Sequence, residues 1–224
     1  MPIIAILNPK GGCGKTTIST NIARSIQELG YSVLLVDSDP QGSARDWHAA
    51  KEENTLPLIS LDRANNLKTL SGIASAYDFT IIDGAAKLED IIGAAIKCAD
   101  LVLIPIQPSP YDLWAASDLV DVIRTRQEIT EGHPKAAFVI SRAIQGTKLG
   151  KEILDALNEY DLHAFDSIIT QRQVYPQTAA DGESVFESKN REAIKEINSL
   201  ATELLNYLNI EVRNYTNESV IETA

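Results

Sequence analysis

The residues best equipped for chemistry lie close to the start of the chain, in the run Lys10-Gly11-Gly12-Cys13-Gly14-Lys15-Thr16-Thr17. Glycines at this density let backbone N–H groups turn inward onto phosphate oxygens. Lys15 is placed to reach the β and γ phosphates of a nucleotide, and the Thr16 hydroxyl to ligand Mg²⁺. The apolar run Ile3-Ile4-Ala5-Ile6-Leu7 ahead of the loop reads as a buried strand, and Ile18, Ile22, Ile26 and Leu29 behind it fall at helical spacing. Strand, glycine loop and helix together are what a phosphate loop requires, because the helix adds its positive end. The loop departs from the usual Gly-x-x-x-x-Gly-Lys-[Ser/Thr] spacing. Pro9 stands at the first glycine position, with Lys10 beside it. Lys10 is on the far limb of the loop, badly placed for the phosphates that Lys15 serves. Either it reaches across a dimer interface and acts on a partner's nucleotide as an arginine finger would, or it is a solvated loop charge.

Carboxylates at strand ends supply the rest of a hydrolytic kit. Asp83 ends the apolar run Phe79-Thr80-Ile81-Ile82, where it can hold Mg²⁺ through a water or cap the following turn. Asp37 and Asp39 end another run, Val33-Leu34-Leu35-Val36, and either can face the same site or cap a helix that follows. Phosphoryl transfer depends on positioning and charge neutralisation more than on covalent help. One metal, two lysines and a water-orienting carboxylate therefore suffice. His48, His133 and His163 fall in no catalytic pattern.

These groups need strands and helices to hold them, and the two alternate along the chain. Strands are expected over 2–8, 32–37, 57–60, 78–83, 100–106 and 136–140, with a shorter one near 162–165. Helices are expected over 15–29, 42–51, 62–76, 87–97, 112–131, 147–158 and 190–208. Continuous apolar strands such as Leu101 to Ile106 predict burial on both faces. The fold class is α/β: one domain over 1–208, with a doubly wound, mostly parallel twisted sheet covered by helices on both faces, and a polar tail over 209–224. In such sheets ligands bind at the carboxyl ends of the strands, where the glycine loop, Asp37, Asp39 and Asp83 all fall. Ser109-Pro110-Tyr111-Asp112 reads as a helix start, with Ser109 at the N-cap. Tyr111 and Trp114 are read as core or interface packing.

Composition sets outer bounds. At 224 residues, 44% hydrophobic and 23% charged, the chain has enough apolar material for a substantial core. Cys13 and Cys98, the two cysteines, show no metal-ligand spacing and are expected to be free thiols. No apolar run approaches membrane-spanning length. The net charge of −11 excludes wholesale attraction to nucleic acid or anionic lipid, so any DNA binding must come from a local patch and be salt-sensitive.

The loop resembles that of the deviant Walker A ATPases that include ParA and MinD. The blocks Val33 to Gly42, Ala99 to Trp114, Gln171 to Pro176 and Gly182 to Glu187 are similar to the small plasmid-type members that lack an N-terminal DNA-binding domain. The resemblance implies an ATPase using ATP and Mg²⁺, with Gly11, Gly12, Cys13, Gly14, Lys15, Thr16 and Thr17 around the phosphates and Lys10 acting across an ATP-bound homodimer. It assigns the attacking water to Asp39, support of Mg²⁺ or of the loop threonine to Asp37, and the metal side to Thr16 and Asp83. It places adenine near Ser141 and Arg142, with Tyr175 and Pro176 able to close the pocket, and Gln107-Pro108 near the nucleotide and dimer face. It implies non-specific DNA binding, with Arg172, Lys189, Arg191 and Lys195 as candidate contacts, although these also fit a solvated helix face. A ParB-type or small centromere-binding partner would stimulate hydrolysis in a cytoplasmic, nucleoid-associated cycle. The sequence departs from the family at Gly84-Ala85-Ala86, where many members carry a stiffer Thr-Pro-Pro segment. Two other classes share the loop. A MinD-like membrane positioner would need a basic amphipathic C-terminal helix, whereas the chain ends in Glu218 and Glu222 without basic charge. A metabolic enzyme would need a small-molecule pocket or bridging cysteines.

Overall fold

The structure, a computed structural model, describes residues 1–86, 89–144, 153, 156–157 and 160–212. Seven strands form one sheet: β1 Ile3–Ile6, β2 Val33–Asp37, β3 Leu58–Ser60, β4 Phe79–Asp83, β5 Leu101–Ile106, β6 Lys135–Ala143 and β7 His163–Thr170. Their order is β3-β2-β4-β1-β5-β6-β7, and every pairing is parallel. The described helices are α1 Lys15–Glu28, α2 Ser43–Ala49, α3 Ala64–Leu67, α4 Leu70–Ala74, α5 Glu89–Cys98, α6 Pro110–Ile129, α7 Val174–Ala180 and α8 Arg191–Tyr207, with a 3₁₀ turn at Val185–Glu187.

Alternation along each strand splits the core into two layers. Ile4, Ile6, Val33, Leu35, Leu101 and Leu103 pack beneath Ile18, Ile22 and Ile26 of α1 and Ile197, Leu200 and Leu204 of α8. Ala5, Leu34, Val36, Val102 and Ile104 pack on the opposite face against α5 and α6, through Ile91, Ala95, Ala116, Val120 and Ile123. Both faces of the strands are thus covered, as a parallel sheet requires. The arrangement sets the ends of β2, β4 and β1 side by side, with Asp37 in register with Asp83 and Asp83 with Ile6.

Three expectations change. The helix expected over 62–76 is two short helices. Thr69 interrupts it, its hydroxyl bonding back to the Asn66 carbonyl at 2.7 Å, while Leu67 and Leu70 stay buried on either side. Helix α7 lies where no helix was expected, and it contains Pro176. That proline is the third helical residue, where an N–H has no intrahelical partner to lose. The beginning of the expected tail is tied down: Tyr31 donates from its hydroxyl to the Glu211 carbonyl at 3.0 Å, and Ile210 and Val212 pack against the core. The helix expected over 147–158 lies outside the described residues except at positions 153, 156 and 157.

At the sheet edge, β7 runs out of step with β6. Ala164 is opposite Phe138, but Ile168 is opposite Ile140. The bulge leaves consecutive amides turned away from the ladder. Glu203 of α8 accepts from Asp166 N at 2.6 Å and Ser167 N at 3.0 Å, and Glu196 accepts from Thr170 N at 3.2 Å. Among the described residues no helix is long and apolar enough to cross a membrane.

Candidate active site

The glycine loop joins the central strand β1 to α1. Gly12 and Gly14 take φ of 77° and 93°, in the left-handed region, and a Cβ at Gly14 would lie 2.6 Å from Ser141 Oγ. Glycine at position 14 is therefore demanded twice, by conformation and by space. The Gly12 carbonyl is held from two sides, by Gln107 Nε2 from the end of β5 at 3.0 Å and by Arg142 Nη1 from β6 at 2.8 Å. Arg142 itself has a φ of 55°, uncommon for a residue with a side chain, at the β6 irregularity opposite β7. Buried Lys15 donates from Nζ to the Lys10 carbonyl at 3.1 Å, an acceptor it shares with the Cys13 thiol at 3.3 Å. Burial pushes that thiol's pKa up, so it is a packing group and no nucleophile.

Lys10 does not point into this cradle. Its ammonium pairs with Asp112 Oδ2 on the first turn of α6. The Asp112 side chain is only 2% exposed, and its other oxygen is buried without a hydrogen-bond partner. The two lysines are thus separated as the spacing implied, and Lys10 is no free solvated charge. The sequence reading took Asp112 only as a helix-start residue and did not pair it with Lys10.

Asp83 sits one strand over, fully buried. Thr16 Oγ1 donates to it at 2.7 Å and Ser19 Oγ at 2.9 Å. Burial pushes its carboxyl up to about 7; the two hydroxyls and Lys15 oppose the shift, and Asp37 reinforces it. A buried carboxylate with so little compensation, touching a threonine hydroxyl, offers the hard oxygen ligands that suit Mg²⁺. No cluster of three His, Cys, Asp or Glu side chains among the described residues could hold a metal unaided. The ion would therefore share Thr16 and Asp83 with nucleotide phosphates.

Asp37 and Asp39 part company. Asp37 is fully buried, and both of its oxygens accept backbone N–H groups, from Asp39 at 3.0 Å and from Arg45 at 2.9 Å. It serves as a remote cap for α2, one of the two roles open to it from the sequence. Asp39 lies half-buried on the exposed turn with Pro40 and Gln41. Arg45, which sequence reasoning passed over, reaches back over this turn.

The remaining candidates separate. Ser141 and Arg142 touch the loop glycines. Tyr175 and Pro176 instead line a cleft of about 500 Å³ together with Thr16, Thr17, Asn21 and Trp47. Ser109 occupies the N-cap of α6, but its side chain makes no capping bond. Tyr111 and Trp114 are not core: they are 72% and 63% exposed and meet edge to face at 5.4 Å. Arg172 is paired with Glu192 and Glu196 at 2.6 and 2.7 Å. Lys189, Arg191 and Lys195 are exposed, the last two along the outer face of α8.

A parallel sheet whose central strand feeds a glycine loop, a buried loop lysine and a strand-end carboxylate define a P-loop nucleotide-binding protein. Comparison with known proteins narrows the class: residues 4–185 match the CobQ/CobB/MinD/ParA nucleotide binding domain, and the chain belongs to that family. It is 32% identical over 209 residues to the maintenance of carboxysome distribution protein A of Halothiobacillus neapolitanus, covering 90% of this chain and 95% of that one. It is 30% identical over 159 residues to the chromosome-partitioning ATPase Soj of Thermus thermophilus, covering 58% and 63%. The Cyanothece McdA structure with ATP superposes with a TM-score of 0.75 at 17% identity, over 94% and 97% of the two chains. The chain is a ParA/MinD-type positioning ATPase.

Proposed function

We propose that this ATPase distributes a cargo over DNA. ATP closes a homodimer, the dimer holds DNA without sequence preference, and a partner protein triggers hydrolysis and release. The observation that carries the reading is the placement of Lys10. It extends from the outer limb of the loop to Asp112 on α6, away from the cradle that Lys15 occupies. A cation held there by a half-satisfied carboxylate has a use if a second protomer presents its γ-phosphate over the same surface. The exposed pair Tyr111 and Trp114 flanks Asp112, and aromatic groups of this kind are enriched in interface cores.

With Arg172 engaged, the DNA-facing cations are Lys189, Arg191 and Lys195. A net charge of −11 makes attraction local and steeply dependent on salt. The cargo reading favoured by the 32% relative is a protein body like the one in its name. A plasmid or chromosome fits the same switch.

The test is a DNA titration with ATP, ADP or no nucleotide at two salt concentrations, with anionic lipid vesicles in parallel. Binding to DNA only with ATP, weakened by about tenfold or more on doubling the salt, supports the reading. Vesicle binding without DNA binding overturns it. Lys10→Ala, followed by light scattering, checks the dimer separately. The variant is expected to bind ATP within about tenfold of the parent, yet to remain a monomer and lose turnover.

A further inference from the structure

We propose that Arg45 is a positioning residue for hydrolysis, acting through the turn that carries Asp39. Arg45 is the third residue of α2, and its own N–H ties that helix to Asp37 Oδ2 at 2.9 Å. Its guanidinium then folds back over the turn. Nη2 donates to the carbonyls of Asp39 at 3.3 Å and Pro40 at 3.1 Å, while Nε lies 3.5 Å from Asp37 Oδ2. On the other side Nη1 donates to Ser60 Oγ at 2.5 Å and meets Asp62 Oδ2 at 3.3 Å. One planar cation therefore joins the end of β2, the turn and the end of the edge strand β3.

The turn is otherwise held only by local bonds, from the Gly42 N–H to the Asp39 carbonyl at 2.9 Å and from the Asp39 N–H to Asp37 Oδ1 at 3.0 Å. Pro40 and Gln41 are exposed, and Asp39 Oδ1 is used locally, accepting from Gln41 N at 2.9 Å. Gly42 caps α2 with φ 74°, and a Cβ there would fall 2.7 Å from Arg45 Nη2 and 2.8 Å from Nε. The guanidinium fills the space above that glycine. A lysine could not replace it, since its ammonium is a point donor and not a rigid fork able to bond in several directions at once. Misplacing a catalytic group by about 1 Å is worth about a hundredfold in rate, so a brace on Asp39 matters even though Arg45 reaches no phosphate itself.

The inference rests on the assignment of the attacking water to Asp39, and the experiment separates the two. ATP binding, kcat and KM are measured for Asp39→Ala, Arg45→Met, Arg45→Lys and the double variant Asp39→Ala/Arg45→Met, with thermal unfolding as a fold control. Arg45→Met is expected to lower kcat by about 10- to 100-fold while KM and ATP affinity change by less than about threefold. Arg45→Lys should recover only part of the loss. In the Asp39→Ala background, adding Arg45→Met should change residual turnover by less than about twofold, since both act on one step. Normal kcat for Arg45→Met beside an inactive Asp39→Ala would overturn the role of Arg45 alone, as would a multiplicative loss in the double variant. Normal turnover by Asp39→Ala would remove both assignments. Should Arg45→Met fail to fold, Asp62→Asn, which weakens one arm of the brace, must still lower kcat by about two- to fivefold with KM unchanged; parental kcat in Asp62→Asn then overturns the inference.

Discussion

The glycine loop and the acidic turn at Asp37 to Arg45 occupy neighbouring strand ends but are built on opposite plans. The loop is braced from outside, by Gln107 and Arg142 on one carbonyl, while the Lys15 ammonium inside it donates to the Lys10 carbonyl. Its inner donors are arranged for an anion that the chain does not supply. The turn is braced from within: Asp37 spends both oxygens on its amides, and Arg45 spans its carbonyls. On the proposed reading, the loop supplies binding energy and the turn orients the attacking water. Affinity and turnover should fail independently.

The loop side of this division is tested by Lys15→Ala. It should weaken ATP binding more than about a hundredfold, or about 2.7 kcal/mol, by calorimetry, with thermal stability of the empty protein little changed. Asp39→Ala should do the reverse: affinity retained, turnover lower by about 10²- to 10⁴-fold in a phosphate-release assay, and the ATP-bound dimer long-lived by light scattering. Asp37→Asn, which puts an amide N–H₂ against one backbone donor, should cost about 1–3 kcal/mol of stability in urea melts. Gln107→Ala is the mildest. One neutral bond to Gly12 is lost, Arg142 keeps the carbonyl tied, and ATP affinity should fall by about three- to tenfold, or about 0.7–1.4 kcal/mol. A large turnover defect at unchanged affinity in that variant would mean that the loop also sets the chemistry, and the division would be wrong.

Local signals were legible in the sequence, and distant pairings were not. The loop announces itself because its parts are contiguous, and the sheet because strands buried on both faces are unbroken apolar runs. The ends of β2 and β4 could be placed at one site from fold class alone. Lys10 and Asp112 meet across 102 positions, and Gln107 and Gly12 across 95; nothing in either neighbourhood marks the partner. Nothing in the sequence marks Arg45, because its acceptors are scattered over the end of β2, the turn and the end of β3. Arg172 counted as a free cation because Glu192 and Glu196 approach it only once α8 packs beside β7. Asp37 and Asp39 carry the same side chain two positions apart, and only burial tells the fully buried helix cap from the half-buried turn residue.

The carboxylates of Glu196 and Glu203 along the bulged margin of β7 bear on how copies of this protein can associate. Three amides that would otherwise invite a neighbouring strand are already spoken for by acidic groups from the same molecule. Lateral annexation of a foreign chain would have to evict anions from their donors, so that rim is a poor seed for polymers that grow by enlarging the sheet.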